Sequence, residues 1–429
     1  MNRARLIRPL AGLHGRLTAP PSKSYTHRAL LLASLAEGKS SVVNALSSRD
    51  TEATLSACKA IGARVDREET CLSIAGGRPE LPEDIVDAQN SGTTLRFMTS
   101  VLAHTKDGHS VITGDSSLRR RPMKPLLEAV ATLGGQAFSI RNNGCAPIVV
   151  RGGGLDGGEV SIAGDVSSQF VSSLLISAPL ARGGTTIRVN AAASRPYLDA
   201  TLYSMGAFGV DVGREGYERF DVRPTGSYTS TSFVVPGDFS SASFVMAAVA
   251  LVGGDAEIEG LDPSIPQGDS AIVSILEKMG CSLEPEGRKV VVASDGGELK
   301  GGRFDLHDTP DLLPVLAVLA LRCSSPVEIV GVAHARLKET DRIAVLAKEL
   351  TKLGVRLQER HDGLFIDAPT GVRPALLDAH DDHRMFMAFA LASMLTQDGC
   401  AVEGMDSLDV SYPSFLADMA SIGAQVRVE

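Results

Sequence analysis

One pattern occurs six times in this sequence, and it constrains the fold more than any other feature. A helical segment that ends in an apolar residue and a glycine recurs as "CKAIGARV", "VATLGGQA", "LYSMGAFG", "LEKMGCSL", "LTKLGVRL" and "MASIGAQV". The glycines are Gly62, Gly134, Gly206, Gly280, Gly354 and Gly423, which are 72, 72, 74, 74 and 69 residues apart. We expect each glycine to end its helix in a left-handed conformation, because a side chain with a Cβ atom clashes there. The even spacing predicts six structural units.

A second helical element precedes each of these segments. It has a polar opening followed by apolar residues, and the copies begin "SKSYTHRALLLASL", "NSGTTLRFMTSVLA", "VSSQFVSSLLISAP", "DFSSASFVMAAVAL", "HDTPDLLPVLAVLA" and "DDHRMFMAFALASM". A short strand is predicted after each, centred near Val42, Val111, Ile187, Ile258, Ile329 and Val402. Alternating segments after the glycines, such as "VDREETCLSIAGG", predict β-hairpins. Each unit is therefore predicted to run helix, strand, helix and hairpin.

The two helix types predict an α/β architecture with helices inside and sheets outside. The first helix of each unit is apolar nearly all round, which indicates burial on every side, whereas the second carries charge on one face. Six units divide most simply into two domains of three. We predict an N-terminal domain over 21–235 and a C-terminal domain over 1–20 plus 236–429, with the chain crossing between them near 14–22 and 234–240.

Composition narrows the choice of partners and compartment. The net charge of −9 argues against binding of nucleic acid or an anionic membrane by the whole surface. The longest apolar stretches, "FVMAAVALV" and "LLPVLAVLAL", fall short of the ~18 residues expected of a membrane span. The first 20 residues contain no apolar run typical of a secretory signal, and the six scattered cysteines lack metal-ligand spacing. We therefore expect a soluble cytoplasmic protein with no metal ion and no organic cofactor.

The polar openings place unusual chemistry at predicted helix N-termini, which bind anions readily. They carry Lys23, Ser24 and Arg28; Asn90, Ser91, Thr93 and Arg96; Ser167, Ser168 and Gln169; Ser240 and Ser241; Asp308 and Asp311; and Asp382, His383 and Arg384. Ordinary N-capping accounts for most of the serines. It does not account for the cations, because a cation in the first turn opposes the helix dipole. Bound anions are the alternative explanation.

Two further segments concentrate positive charge. "LRRRPMKPL" places Arg119, Arg120, Arg121 and Lys124 around the start of a helix of the second type. "ARLKETDRIA" places Lys338 and Arg342 four residues apart, which predicts that they share one helix face, although a surface helix stabilised by ion pairs has the same pattern. Arginine binds phosphate and carboxylate through paired hydrogen bonds. The predicted ligands are small, multiply charged anions.

Two carboxylates near these cations indicate a reactive site. Asp311 opens the apolar segment "PDLLPVLAV", where burial would perturb its pKa and suit a general base, although simple capping is the alternative. Glu339 is a candidate general acid or an ion-pair partner of its neighbours. The glycine-rich "RGGGLDGGEV" lacks the lysine of a phosphate-binding P-loop and is interpreted as a turn.

The motifs "PSKSYTHRALLL", "NSGTTLR", "SSQF", "SRPY", "LKETDR" and "DHRM" together resemble the 5-enolpyruvylshikimate-3-phosphate (EPSP) synthases, along the full length of the chain. The resemblance implies two domains of three βαβαββ units that close over the substrates. It implies transfer of the enolpyruvyl group of phosphoenolpyruvate to shikimate 3-phosphate, with release of phosphate and a tetrahedral ketal intermediate. It also implies a place in the shikimate pathway of chorismate and aromatic amino-acid biosynthesis.

The resemblance assigns roles to individual residues. Asp311 would take the proton of the 5-hydroxyl, Glu339 would protonate the enolpyruvyl methylene, and Lys23 would lie between the substrates. The implied shikimate 3-phosphate contacts are Lys23, Ser24, Arg28, Ser167, Ser168, Gln169, Ser194, Tyr197, Asp311 and Lys338. The implied phosphoenolpyruvate contacts are Lys23, Asn90, Gly92, Arg121, Gln169, Arg342, His383 and Arg384. Three positions depart from the pattern, since Val410 stands where many relatives have lysine, His334 where others have asparagine and Phe97 where proline is common.

Two alternatives remain at this point. The sister enzyme that acts on UDP-N-acetylglucosamine has the same fold, but its reactive cysteine has no counterpart here, because no cysteine lies between Cys71 and Cys145. A non-catalytic anion-binding repeat protein is the other alternative, and it would gain nothing from Asp311 and Glu339. We expect a monomer whose only partners are small-molecule substrates.

Overall fold

The computed structural model describes residues 2–429, which form two compact units. The N-terminal unit is Pro21–Pro236, and the C-terminal unit combines the chain up to Pro20 with Gly237–Glu429. Each unit contains three sheets and six α-helices. The predicted α/β fold of six repeats is confirmed.

Helices of the two predicted types alternate along the chain. They are α1 (Lys23–Leu35), α2 (Arg49–Ala60), α3 (Gly92–Leu102), α4 (Lys124–Thr132), α5 (Ser168–Ser177), α6 (Pro196–Ala207), α7 (Phe239–Val252), α8 (Ala271–Met279), α9 (Leu313–Leu319), α10 (Arg342–Lys352), α11 (His383–Ser393) and α12 (Phe415–Ser421). Each odd-numbered helix begins at one of the six predicted polar openings. These helices are buried almost all round, and in the C-terminal unit α7, α9 and α11 contact one another. The even-numbered helices bury one face, as α8 does through Ile272, Ile275, Leu276 and Met279.

The strands form six sheets of similar topology. They are β1 (Arg3–Ile7), β2 (Leu13–Thr18), β3 (Ala36–Val43), β4 (Arg64–Arg67), β5 (Cys71–Gly76), β6 (Val86–Asp87), β7 (His109–Thr113), β8 (Gln136–Ser139), β9 (Ile148–Arg151), β10 (Gly158–Ala163), β11 (Thr185–Asn190), β12 (Val212–Glu215), β13 (Arg219–Val222), β14 (Tyr228–Thr229), β15 (Ser232–Val234), β16 (Gly254–Glu259), β17 (Ser282–Glu286), β18 (Lys289–Ser294), β19 (Gly302–Asp305), β20 (Val327–Val330), β21 (Leu357–Arg360), β22 (Gly363–Ile366), β23 (Leu377–Asp378), β24 (Val402–Glu403) and β25 (Gln425–Val428). The orders are β14-β3-β5-β4 with β15 also on β3, β6-β7-β9-β8 and β10-β11-β13-β12 in the N-terminal unit, and β17-β18-β16-β2, β19-β20-β22-β21 and β23-β24-β1-β25 in the C-terminal unit. Each of the six predicted strand centres lies in a strand.

The first strands of the chain complete two sheets of the C-terminal unit. β2 pairs in parallel with β16, in the place that β10 takes beside β11. β1 lies antiparallel between β24 and β25, so it replaces the second hairpin strand that the sixth repeat lacks. All six sheets therefore have the same arrangement of strands, although two sheets of the C-terminal unit take one strand each from the beginning of the chain.

Five of the six predicted cap glycines have positive φ, at Gly62, Gly134, Gly280, Gly354 and Gly423. The prediction for Gly206 is wrong, because α6 continues through Gly206 to Ala207. The backbone N–H of buried Phe208 bonds to carbonyls of the last helical turn, and Gly209 takes the left-handed conformation with φ +80°. The motif "MGAFG" contains two glycines, and the second, Gly209, takes the left-handed conformation after α6 because Phe208 packs into the core.

Within residues 2–429, no helix is both long enough and apolar enough to cross a membrane. All six cysteines are free thiols, and Cys58, Cys281, Cys323 and Cys400 are buried.

Candidate active site

In the N-terminal unit, the first turns of α3 and α5 are joined by polar side chains. Arg96 donates from Nη1 to Gln169 Oε1 at 2.5 Å and to Ser167 Oγ at 3.3 Å. Gln169 Nε2 in turn donates to Thr93 Oγ1 at 2.8 Å. Ser167 is also the N-cap of α5, since its Oγ accepts from the Gln169 backbone N–H. One arginine thus holds two helix N-termini side by side, and a helix N-terminus is where backbone N–H groups have no partner within the helix.

Arg121 extends this group of residues toward the loop before α3. It follows a short 3₁₀ helix, Leu118–Arg120, and its Nη2 donates to Asn90 Oδ1 at 3.3 Å. Gly92 begins α3 beneath it, and a Cβ atom at that position would lie 3.0 Å from Arg121 Nη1 and 3.5 Å from Arg96 Nη1. The absence of a side chain at Gly92 therefore leaves room for both guanidinium groups. We call Asn90, Gly92, Arg96, Arg121, Ser167 and Gln169 the N-terminal arginine cluster.

Arg28 joins α1 to α6 and is almost fully buried. It donates to Thr201 Oγ1 at 2.9 Å, to the Ser24 carbonyl at 2.8 Å and to the Tyr197 carbonyl at 3.0 Å. The burial that removes water lowers its pKa to about 10, and the nearby tyrosines oppose that shift. These three acceptors are neutral, so a substrate anion near Arg28 would meet a charge that they do not cancel.

Lys23, Ser168 and Ser194 complete the predicted residues of this unit. Lys23 is the first residue of α1, and its Nζ lies 3.1 Å from Asp50 Oδ2 on α2. Ser168 is the first residue of α5. Ser194 has φ +53° in the turn before α6, where its carbonyl accepts from Tyr197 N. The structure thus places all of these residues at the N-terminal ends of helices or directly before them.

In the C-terminal unit, Arg342 is the centre of a carboxylate cluster. Its side chain is 1% exposed, and it donates from Nε to Asp382 and from Nη1 to Asp311, each at 2.8 Å. Nη2 donates to Glu339 at 2.8 Å and to Asp382 at 3.3 Å. Burial alone would lower the pKa of Arg342, and the charges of Asp382, Glu339 and Asp311 outweigh it and raise that pKa. Among residues 2–429, four of its five N–H groups therefore donate to carboxylates.

Asp311 collects three cations. Besides Arg342, its Oδ1 lies 3.6 Å from Lys338 Nζ, and its Oδ2 lies 3.1 Å from Arg384 Nη2. It stands in a 3₁₀ turn, Pro310–Leu312, that leads directly into α9. Desolvation lowers the pKa of Lys338, and the charge of Asp311 opposes that shift. Three cationic side chains therefore surround the Asp311 carboxylate and hold it in a fixed position.

One detail of this cluster differs from the prediction. Lys338 and Arg342 do not share a helix face, because α10 begins only at Arg342 and Lys338 has an extended backbone. The helix begins at Arg342 because Asp341 is its N-cap. Asp341 Oδ1 accepts a hydrogen bond from the Ala344 backbone N–H at 3.0 Å. The two cations meet at Asp311 by folding of the loop and not by helical spacing.

α11 brings His383 and Arg384 to the same cluster. Its N-cap is Asp382, whose carboxylate accepts from the Arg384 N–H at 2.9 Å while it also binds Arg342. Arg384 Nη1 donates to Ser240 Oγ at the start of α7. Asp269 lies in the turn before α8, and burial, followed by the charge of Asp311, raises its pKa to about 7. We call Asp311, Lys338, Glu339, Arg342, Asp382 and Arg384 the C-terminal carboxylate cluster.

Three functional neighbours escaped the sequence analysis. Asp50 pairs with Lys23, Thr201 accepts from Arg28, and the charges of Asp311 and Arg384 act on Asp269. Asp50 and Asp269 each lie at the beginning of a helix of the second type, which made capping a sufficient explanation. These residues can be found only if one knows that the second helix of a unit begins beside the first. The spacing of residues along the chain does not show this.

A family model described as EPSP synthase (3-phosphoshikimate 1-carboxyvinyltransferase) matches residues 7–419. The chain belongs to the EPSP synthase family. Proteins named 3-phosphoshikimate 1-carboxyvinyltransferase are similar along nearly their whole length. That of Methanothrix thermoacetophila is 47% identical, covering 97% of this chain and 98% of its own, and that of Korarchaeum cryptofilum is 42% identical, covering 96% and 97%.

Solved EPSP synthases share the fold. A structure of the enzyme from Acinetobacter baumannii superposes with a TM-score of 0.83 at 26% sequence identity and covers 100% of both chains. A second structure, determined at 2.37 Å from the same organism, gives a TM-score of 0.82 at 27% identity. The predicted two-domain enolpyruvyl transferase fold is therefore confirmed.

Two of the departures from the usual EPSP synthase pattern, Val410 and His334, have different surroundings. Val410 ends a 3₁₀ helix, Met405–Val410, and is buried. His334 lies in another, Ala333–Leu337, with its ring 6.1 Å from that of His307. Burial, with a smaller effect of Lys338, lowers the pKa of His334 to about 4, so this histidine is neutral near pH 7 and can serve as a hydrogen-bonding group.

Proposed function

We propose that this chain is a 3-phosphoshikimate 1-carboxyvinyltransferase. It transfers the enolpyruvyl group of phosphoenolpyruvate to the 5-hydroxyl of shikimate 3-phosphate and releases phosphate. The products are 5-enolpyruvylshikimate 3-phosphate and inorganic phosphate. Family membership over residues 7–419 supports the reaction class.

The observation that carries the proposal is the convergence of Lys338, Arg342 and Arg384 on Asp311. A general base must be held rigidly within hydrogen-bonding reach of the hydroxyl that it deprotonates. A reaction between two anionic substrates also needs cations beside that base, because they offset the substrate charge. The C-terminal carboxylate cluster supplies both requirements in one set of side chains.

The N-terminal unit supplies the proposed shikimate 3-phosphate groups. Ser167, Ser168 and Ser194 bind the 3-phosphate through hydroxyl and backbone N–H groups, which suit phosphate at helix starts. Ser24, Arg28, Gln169 and Tyr197 bind the carboxylate and line the ring. In the C-terminal unit, Asp311 and Lys338 contact the hydroxyl groups of the ring.

Phosphoenolpyruvate needs several cations because it carries a phosphate and a carboxylate. Arg121, Arg342 and Arg384 are its proposed clamps, since guanidinium groups bind both anions through paired hydrogen bonds. Lys23 contacts both substrates, while Asn90, Gly92 and Gln169 supply polar or backbone contacts. His383, buried at the start of α11, is the remaining proposed contact.

In the proposed mechanism, Glu339 gives a proton to C3 of phosphoenolpyruvate, which makes C2 electrophilic. Asp311 accepts the proton of the 5-hydroxyl while the oxygen forms its bond to C2, giving a tetrahedral ketal phosphate. The Glu339 carboxylate then takes a proton back from C3, the double bond re-forms, and the C2–O bond breaks with its electron pair leaving on the phosphate. Lys23 stabilises the negative charge on the departing phosphate. Asp311 passes the 5-hydroxyl proton to the departing phosphate, so both carboxylates return to their starting state.

Phosphate release tests this proposal. The purified protein is incubated with shikimate 3-phosphate and phosphoenolpyruvate, and in parallel with UDP-N-acetylglucosamine and phosphoenolpyruvate. We expect release only with shikimate 3-phosphate. Release only with the nucleotide sugar would assign the sister reaction, and release with neither acceptor would favour an anion-binding protein without catalytic activity.

We further propose that the enzyme works as a monomer in the cytoplasm. The free thiols support a reducing compartment. Each unit buries its own set of apolar helices, which supports folding of a single chain without a partner subunit. Light scattering after size-exclusion chromatography measures the mass of the particle, and a value near 45.0 kDa is expected.

A further inference from the structure

Glu349 is a buried carboxylate on α10 to which no substrate contact or proton transfer has been assigned. Its side chain is 0% exposed, and Lys352 Nζ donates to its Oε2 at 2.6 Å. Burying a carboxylate costs free energy unless the group is paired and hydrogen-bonded. The contacts of Glu349 should therefore show why this position of the helix is polar.

The repeat pattern shows that the fold does not require a carboxylate at this position. Glu349 lies five residues before Gly354, the cap glycine of its unit. Three other units have a buried apolar residue five positions before their cap glycines, namely Ala57, Ala129 and Ile275. Because apolar side chains fill the position in these units, packing of the helix does not explain the carboxylate of Glu349.

Glu349 binds the backbone of the segment that leads into α11. Its Oε2 accepts from the backbone N–H of Asp378, on β23, at 3.0 Å. Lys352, its ion-pair partner, also donates from Nζ to the Leu376 carbonyl at 3.3 Å. α10 therefore holds this segment through one glutamate and one lysine.

The segment continues into a turn that needs support from its surroundings. His380 and Asp381 have φ of +51° and +58°, and a residue with a Cβ atom keeps this left-handed conformation only where the surrounding structure holds it. The His380 N–H donates to Asp378 Oδ1 at 2.8 Å. His380 Nε2 lies 3.6 Å from Glu349 Oε1, and neither of these two buried atoms forms a hydrogen bond within residues 2–429. The carboxylate of Glu349 thus binds Asp378 with one oxygen and faces the turn with the other.

The turn sets where α11 begins. Asp382, which follows it directly, is the N-cap of α11, and its carboxylate accepts from the Arg384 N–H at 2.9 Å and from Arg342 Nε at 2.8 Å. Arg342 and Glu349 are seven residues apart on α10, which is about two turns, so they lie on one face of the helix. α10 therefore holds the chain on both sides of the turn, before it through Glu349 and after it through Arg342.

Because the proposed function makes Arg384 a clamp for phosphoenolpyruvate, this inference rests on that function. We propose that Glu349 is a positioning residue, which fixes the turn before α11 so that Arg384 is placed to bind phosphoenolpyruvate. It acts through the Asp378 backbone and does not touch the substrate. Without this hydrogen bond, the turn would be free to leave its left-handed conformation, and the start of α11 would move with it.

Glu349→Leu tests this role, since Ile275 on α8 shows that an apolar residue fits such a position. Replacement of a buried ion pair by an apolar side chain is often neutral or stabilising, so the urea midpoint should match or exceed that of the wild type. KM for phosphoenolpyruvate should rise by about tenfold or more, because a small displacement of a binding group is costly. KM for shikimate 3-phosphate should stay near the wild-type value, since Asp311 and Lys338 lie on other segments. A lower urea midpoint with an unchanged KM for phosphoenolpyruvate would make Glu349 purely structural and overturn the proposal.

Two further variants test the route through the hydrogen bond. Glu349→Gln keeps an oxygen at the same reach for the Asp378 N–H, so its KM for phosphoenolpyruvate should be close to that of the wild type. An equal rise of KM in Glu349→Gln and Glu349→Leu would overturn this route. Glu277→Leu is the matched control and should keep both KM values, because Glu277 is an exposed glutamate on α8, the corresponding helix of the preceding unit.

Amide hydrogen exchange in the ligand-free protein distinguishes this inference from the proposed function. In Glu349→Leu, the Asp378 N–H should exchange about tenfold faster or more, because it loses its acceptor. The Leu377 N–H, which donates to the Ala401 carbonyl, should keep its wild-type rate, and Glu349→Gln should protect both amides. If the wild type releases no phosphate, the proposed function fails while this difference still supports the anchoring of the turn; an unchanged Asp378 rate in Glu349→Leu would refute that anchoring.

Discussion

Arg342 Nη1 and Asp311 Oδ1 form a hydrogen bond of 2.8 Å that joins the start of α10 to the turn before α9. The same guanidinium group also binds Glu339 and Asp382, so three chain segments depend on one buried side chain. An arginine in this position neutralises carboxylates that would otherwise repel one another. Arg342 therefore stabilises the fold in addition to its proposed role in substrate binding.

Arg342→Met should lower the free energy of unfolding by about 3–5 kcal/mol, because removal of one partner leaves buried carboxylates without their counter-charge. Urea denaturation followed by circular dichroism measures this loss. Arg303→Met is the matched control, since Arg303 is an exposed arginine of the same unit, 3.8 Å from Glu328. The control should change stability by less than about 1 kcal/mol. Equal urea midpoints for the two variants would show that the buried cluster does not stabilise the unit.

Asp311→Asn should lower kcat by about 10²–10⁴-fold, because an amide cannot accept the hydroxyl proton. Shikimate 3-phosphate should still bind, since Asn keeps the shape and hydrogen-bonding groups of the side chain. Phosphate release gives kcat, and calorimetric titration gives the dissociation constant. Asp305→Asn, an exposed carboxylate on β19, serves as the control and should turn over normally. Undiminished turnover in Asp311→Asn would remove this residue from the proton transfer.

The repeat pattern made the architecture predictable, whereas the site depended on contacts that a linear pattern does not show. Six apolar helices and six capped helices follow directly from hydrophobic periodicity and glycine position. The error at Gly206 arose because the burial of Phe208, not the first available glycine, decides where α6 ends. Helical spacing likewise failed for Lys338, because the Asp341 cap starts α10 after it. Asp269 was missed because Asp311 and Arg384, whose charges act on it, lie on distant segments of the chain.

Gly92→Ala should raise KM for phosphoenolpyruvate about tenfold or more while leaving KM for shikimate 3-phosphate closer to the wild-type value. The added Cβ would lie 3.0 Å from Arg121 Nη1 and 3.7 Å from Gln169 Oε1, so it would displace the arginine side chain. One added or missing methylene group in a binding pocket changes the free energy of substrate binding by about 1–3 kcal/mol. Steady-state kinetics with each substrate varied in turn measure the effect. Gly77→Ala is the control, because a Cβ there meets nothing within 4 Å; identical changes in both variants would exclude crowding at Arg121 as the cause.

His104 should make the stability of the N-terminal unit fall as the solution becomes acidic. Burial, followed by the charges of Arg182 and Arg78, lowers its pKa to about 4, whereas the unfolded chain takes up the proton near pH 6.5. Between these values the unfolded state binds more protons than the folded state, so stability is full above about pH 6.5 and is lost toward pH 4, by at most about 3 kcal/mol.

Replacement of this histidine tests that loss directly. His104→Gln cannot titrate, so its unfolding free energy should depend less steeply on pH between about 6.5 and 4 than that of the wild type. Urea denaturation at a series of pH values gives both slopes. His109→Gln removes an exposed histidine on β7 and should reproduce the wild-type slope. If His104→Gln loses stability with acid as steeply as the wild type, the titration of other groups must account for the acid sensitivity, and burial of His104 would not contribute to it.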